Sequence, residues 1–158
     1  AQAIRLIEDL GERLQNSPDA LSNLSTYTTE PSSSTDCVAT PCSPSQLATF
    51  DIKNWRTAVE NTLPGGKATV FVPQDSPRQL GVLIGWSENR YNQDGKSRTV
   101  ADTTALEKFL QDAVSGGKDA TGAAVSCPVG LICHLQYVQP TQRCTPWTAG
   151  GGALYCPN

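Results

Sequence analysis

An α+β domain is the fold class this sequence predicts, and three patterns predict it. The chain opens on apolar residues at helical spacing, a second helix with a full set of start signals follows a cysteine pair, and later runs at 68–73, 79–87 and 131–138 read as strands. An N-terminal helix packed on an antiparallel sheet of three or four strands follows, with disulfides bracing the C-terminal region.

The first sixteen residues, AQAIRLIEDLGERLQN, are in helical register from the start, with no N-cap ahead of them. They read as the continuing half of a longer helix. Ala3, Ile7, Leu10 and Leu14 form one apolar stripe, and Arg5–Asp9 and Asp9–Arg13 are i,i+4 charge pairs on the other side. The rod is roughly 24 Å long at about 1.5 Å per residue, and Asn16, Ser17 and Pro18 stop it. From Asp19 to Pro41 the composition turns to Ser, Thr, Asn and Pro, including TTEPSSSTD, which predicts a long polar surface loop. Ser43 is then an N-cap, Pro44 occupies the first turn where no N–H is missed, and Gln46 completes a capping box. The helix of about 44–62 carries Leu47, Ala48, Ile52, Trp55 and Val59 as its buried face, and Leu63-Pro64-Gly65-Gly66 ends it.

Ala68–Pro73 and Gln79–Ser87 are strand-like runs separated by the turn-rich QDSPR, an antiparallel hairpin. Asn89–Thr99 is a second polar loop, a further helix runs over about 103–115 through Leu106, Phe109, Leu110 and Val114, and Gly116-Gly117 stops it. Leu131–Val138 is a third strand, and the tail after Gln139 is proline, glycine and cysteine punctuation around Trp147, Leu154 and Tyr155. The organisation is a single domain over 1–158: a helix at 1–16, a polar loop at 17–43, a helix plus hairpin at 44–88, and a cysteine-bearing region at 89–158.

Twelve basic against fifteen acidic residues give a net charge of −3 with no lysine or arginine run, so whole-chain electrostatics do not point to a nucleic-acid partner. No apolar run is long enough to span a membrane and no signal peptide is visible. Six cysteines with a single histidine, His134, and no C-x-x-C cannot make a zinc site of ordinary spacing. They read as disulfides, which persist in oxidising compartments. The pairing is open at this level; closeness in sequence favours Cys37 with Cys42, Cys127 with Cys133 and Cys144 with Cys156.

Catalysis needs convergent groups, and the chain has no Gly-x-Ser-x-Gly elbow, no HExxH and no supported Ser/His/Asp order. Asp51, Glu60, Asp75 and Glu88 are carboxylates that could meet in space, but nothing selects two of them. Asn92–Ser97 holds oxygen ligands as a calcium loop does, yet Lys96 and the missing closing Glu make it a turn. Gly65-Gly66-Lys67 follows a helix and precedes a strand, the reverse of a phosphate loop, and Asn23-Leu24-Ser25 is a chance sequon. His134 is an ordinary strand residue, and Trp55 and Trp86 are core aromatics. Trp147 and Tyr155 form a possible exposed contact surface in the tail. No catalytic residue, metal site or cofactor is expected.

Four blocks in order carry a family resemblance. Ala3 with Ile7 to Asn16 resembles a helix end of the form A-x-x-L-x-x-D-L-x-E-R-M-x-x-N; Cys42 to Ala48, Phe50-Asp51-Ile52 and Trp55 resemble C-T-P-A-x-x-A-x-x-D-L-x-x-W; Leu63 to Gly66 resembles an LPGG turn; and Leu80 to Glu88 resembles V-x-V-x-W-x-E. Together they resemble the periplasmic part of a type IV minor pilin, closest to the PilV group, without its hydrophobic N-terminal half-helix. The resemblance runs over about Ala1 to Glu88.

It implies a pilin-like fold in which Ala3, Ile7, Leu10 and Leu14 are the helix packing and assembly face. It implies a non-enzymatic role in priming or modifying the pilus, with consequences for twitching motility and adhesion. The implied partners are other minor pilins, the major pilin, the inner membrane through the absent half-helix, and a host or abiotic surface. The implied location is the periplasm, anchored in the inner membrane, then the extracellular pilus. A type II secretion minor pseudopilin shares this shape, and a secreted disulfide-rich module binding glycan or protein through the tail is the reading from another class.

Overall fold

The computed structural model describes residues 2–17, 19–87 and 117–140, and the backbone of 145–146 and 154–155. The expected loop at 89–99, including Asn92–Ser97, the expected helix at 103–115, Glu88, Trp147, Cys144 and Cys156 lie outside the described residues.

Helix α1, Gln2–Asn16, lays Ala3, Ile7, Leu10 and Leu14 into the core. Helix α3, Pro44–Thr62, begins where its sequence says: Gln46 N donates to Ser43 Oγ (3.3 Å) and Ser43 N donates to Gln46 Oε1 (2.9 Å), so two otherwise orphaned donors are satisfied reciprocally. Its buried face is Ala48, Ile52, Trp55 and Val59; Leu47, expected on that face, is only half-buried. Leu63-Pro64-Gly65-Gly66 turns the chain into the sheet, with Gly65 at φ 59°, a left-handed conformation that glycine adopts without a Cβ clash.

Strands β1 (Lys67–Phe71), β2 (Leu80–Trp86) and β5 (Ile132–Val138) form one antiparallel sheet in the order β1-β2-β5. The register Val70↔Val82 and Ala68↔Ile84 puts these residues on one face with Leu80, and that face joins the helices in the main core. Phe71, Gly81 and Leu83 alternate to the other face. The short pair β3 (Gly117–Lys118) and β4 (Ala124–Val125) was not foreseen; Gly117, expected as a helix stop, opens a strand. Its turn is held by Asp119 Oδ1, which accepts from Thr121 N, Thr121 Oγ1 and Ala123 N at 2.6–3.0 Å. These bonds, that of the Thr121 hydroxyl first, hold the Asp119 carboxyl below its ordinary value. A further pair, β6 (Thr145–Pro146) with β7 (Leu154–Tyr155), closes the tail. The fold is α+β and pilin-like, as the sequence predicts.

One expectation is overturned. The stretch 17–43 is not wholly a surface loop: it contains helix α2, Leu24–Tyr27, and buries Ala20, Leu24 and Tyr27. Four- and three-residue spacing puts these three side chains on one side, where they pack into the core with α1 and α3.

Candidate functional site

Helix α1 has one face buried in its own domain and one exposed. Ala3 (6% exposed), Ile7 (0%), Leu10 (0%) and Leu14 (1%) are covered by their own domain. Gln2, Ile4, Arg5, Glu8, Glu12 and Gln15 face outward. Ile4, at 41% exposed, is the large apolar side chain of that outer face.

The position of α1 is fixed by polar contacts to α3 as well as by the stripe. Trp55, fully buried, donates its indole N–H to the Leu6 carbonyl at 2.6 Å. Arg13 bonds Asp9 on its own helix (3.0 Å) and reaches Asp51 on α3 (3.5 Å). Contacts from Leu6 to Trp55 and from Arg13 to Asp51 run in opposite chain directions, so the two helices are antiparallel. Of the two charge pairs expected within α1, only Asp9–Arg13 forms; Asp51, with 13% of its side chain exposed, draws Arg13 across the seam. Burial raises the Asp51 carboxyl above its ordinary value, against the lowering effect of the Arg13 charge and hydrogen bond. Beside it Tyr27 Oη is buried without a hydrogen bond of full geometry, although the Ser17 side chain lies close. Burial pushes that phenol upward too.

Arg56, one residue after Trp55, ties the other side of α3. Its guanidinium donates to the Thr29 carbonyl (3.1 Å), Glu30 (3.2 Å) and the Ala68 carbonyl of β1 (2.6 Å). Burial lowers its pKa, with Glu30 opposing. Partners 26, 27 and 12 residues away leave no local signal, which is why sequence reasoning missed it, as it missed Arg13–Asp51.

Among the described residues, two of the nearest-neighbour cysteine pairs are present and both are bonded: Cys37–Cys42, Cα–Cα 5.4 Å, and Cys127–Cys133, Cα–Cα 5.8 Å. The first closes the loop ahead of α3 and the second ties the start of β5. Tyr155 contributes its backbone to β7. Trp86 is half-buried and packs against the core, and His134 sits opposite Ile84 in the β2–β5 ladder. The carboxylates weighed as a catalytic pair do not converge: Asp51, Glu60 and Asp75 line three separate clefts. Among the described residues no three metal-ligating side chains cluster, and no helix is long and apolar enough to cross a membrane.

Residues 1–53, which comprise α1, α2, the first disulfide loop and the first half of α3, match a family described as Tt1218-like, type IV pilin Tt1218. The match supports a type IV pilin. Such a protein is structural and assembles with other pilins in a pilus exposed outside the cell. No curated protein and no solved structure matches the chain.

Proposed function

We propose that this chain is a PilV-like minor pilin that primes or modifies type IV pilus assembly, and through it twitching motility and adhesion. The observation that supports the reading is the division of α1: its apolar stripe is buried in its own domain and its outer face, from Gln2 to Gln15, is exposed, which leaves it open to a neighbouring subunit. Neighbouring minor pilins and the major pilin would meet Ile4, Arg5, Glu8 and Glu12. A preceding apolar half-helix would hold the subunit in the inner membrane, with its head in the periplasm until assembly. The disulfides suit an oxidising compartment.

Deletion of the full-length gene, complemented in trans, tests this through surface pili and twitching. Loss of both, restored by the intact gene but not by one carrying Ile4→Glu and Arg5→Glu, is expected, with the isolated double variant melting like the parent. Full piliation and motility in the deletion strain would overturn the reading, and a secretion defect without a pilus defect would favour a pseudopilin.

A further inference from the structure

A cleft of about 490 Å³ opens where the β1–β2 connection meets β3 and the end of β5. Gln74, Asp75, Ser76 and Gln79 come from the connection, Lys118 from β3 and Tyr137 from β5. Backbone bonds set the walls: Gln74 N donates to Lys118 O (3.2 Å), Ser76 N to Pro73 O (3.2 Å) and Gln79 N to Ser76 O (3.1 Å), and Pro73 bridges Asp119.

The aromatic side is equally fixed. Tyr137 meets Phe71 edge to face, with centroids 6.3 Å apart and planes at 78°, and Phe71 is buried against Gly81, where an added Cβ would strike its ring. Tyr137 nevertheless keeps 45% of its surface exposed. The side chains of Gln74, Asp75, Ser76 and Lys118 make no hydrogen bond or ion pair with other described residues. Gln79 gives its amide N–H to Gln139 (3.3 Å), which leaves its carbonyl oxygen to the cleft.

We propose that this cleft binds a saccharide of one or two pyranose rings. A sugar ring has an apolar C–H face and a rim of hydroxyls, each both donor and acceptor. The exposed Tyr137 ring matches the face. Asp75 accepts, Lys118 donates, and the amides and the Ser76 hydroxyl do both, which matches the rim. The volume lies in the range of small-molecule sites, about 300–1,000 Å³. An inorganic anion would face the Asp75 carboxylate, and an apolar side chain would find polar walls, so neither fits as well.

Titration of the isotope-labelled, disulfide-intact protein with N,N′-diacetylchitobiose, lactose and sialyllactose, followed by amide chemical shifts, tests the assignment. At least one saccharide is expected to shift the amides of Gln74, Asp75, Ser76, Gln79, Lys118 and Tyr137 saturably. Tyr137→Ala should weaken that binding about tenfold, a loss of roughly 1.4 kcal/mol, and Tyr137→Phe should retain it. Asp75→Ala, on the exposed connection, provides a second variant should Tyr137→Ala misfold, and should weaken binding as well. Absence of shifts at these amides with all three saccharides at tens of millimolar, or binding indifferent to Asp75→Ala and Tyr137→Ala alike while shifting amides elsewhere, overturns the proposal. Either result leaves pilus assembly to be decided separately, by piliation.

Discussion

Trp55 is where removal of one side chain should do most to release α1. The indole is fully buried among Ile7, Leu10 and Ile52 in the main core and gives its N–H to the Leu6 carbonyl at 2.6 Å. Trp55→Ala removes both contributions and leaves a cavity, a change that costs about 3–5 kcal/mol. For a chain of this size each kcal/mol moves Tm by about 2–4 °C, so a fall of roughly 6–20 °C is expected. Trp55→Phe keeps most of the ring and loses the hydrogen bond, so roughly 1–3 kcal/mol is expected. Urea unfolding of the oxidised protein followed by far-ultraviolet circular dichroism gives both numbers, provided the m-value stays that of the parent. Amide exchange then locates the damage: in Trp55→Phe the α1 amides should lose protection before those of β2. A Trp55→Ala cost below about 1 kcal/mol, far short of the core-truncation range, or equal loss of protection in α1 and β2, would refute the view that this indole anchors the helix.

Asp51 gives a pH signature. Its folded pKa lies above the ordinary carboxylate value, so the stability linked to its proton is fully present below that ordinary value and is lost as pH rises through the raised one. Asp51→Asn should therefore flatten the Tm-versus-pH curve over that window and leave neutral-pH stability equal or higher, which scanning calorimetry between acid and neutral pH would read. Arg56→Lys keeps the charge but not the fork that spans Thr29, Glu30 and Ala68; bonds from a charged donor are worth about 1.5–3 kcal/mol, and a loss of that order is expected by urea titration. Gly81→Ala puts a methyl into the Phe71 ring, and overpacking of this kind costs about 1–3 kcal/mol by the same assay. Non-reducing peptide mapping should return Cys37–Cys42 and Cys127–Cys133 and, by elimination, Cys144–Cys156. Replacing Cys37 and Cys42 together by Ser should cost about 2 kcal/mol, as expected for so short a loop.

What the sequence made legible was local. Ser43, Pro44 and Gln46 act within one turn, so the start of α3 could be read to the residue. The α1 stripe and the three long strands rest on periodicities of 3.6 and 2, and their ends fall within about two residues of the expected ones. Helix α2 escaped because three apolar residues, Ala20, Leu24 and Tyr27, are diluted by Ser, Thr and Asn, which favour turns when nothing packs against them. Here α3 does pack against them, and tertiary burial overrides composition. The β3–β4 pair is two residues per strand, too short for an alternation to register. At the candidate site, the apolar half of the α1 docking surface was readable and the polar half was not. Trp55 to Leu6 spans 49 residues and Arg56 to Glu30 spans 26, and no spacing rule reaches that far.

The antiparallel arrangement of α1 and α3 also determines how the domain meets mechanical load. In the pilus proposed above, force would enter the subunit through its N-terminal helix and act along the helix axis. The contacts that hold α1 are spread along that axis, from the Leu6 carbonyl under Trp55 to Arg13 at Asp51, with the apolar stripe between them. Pulling along the axis loads them in shear, so they share the force and must fail together. Peeling α1 away from its N-terminal end would instead break Ala3, Ile7 and Trp55 one after another. Geometry therefore makes the attachment of α1 stiff along its axis and weaker across it.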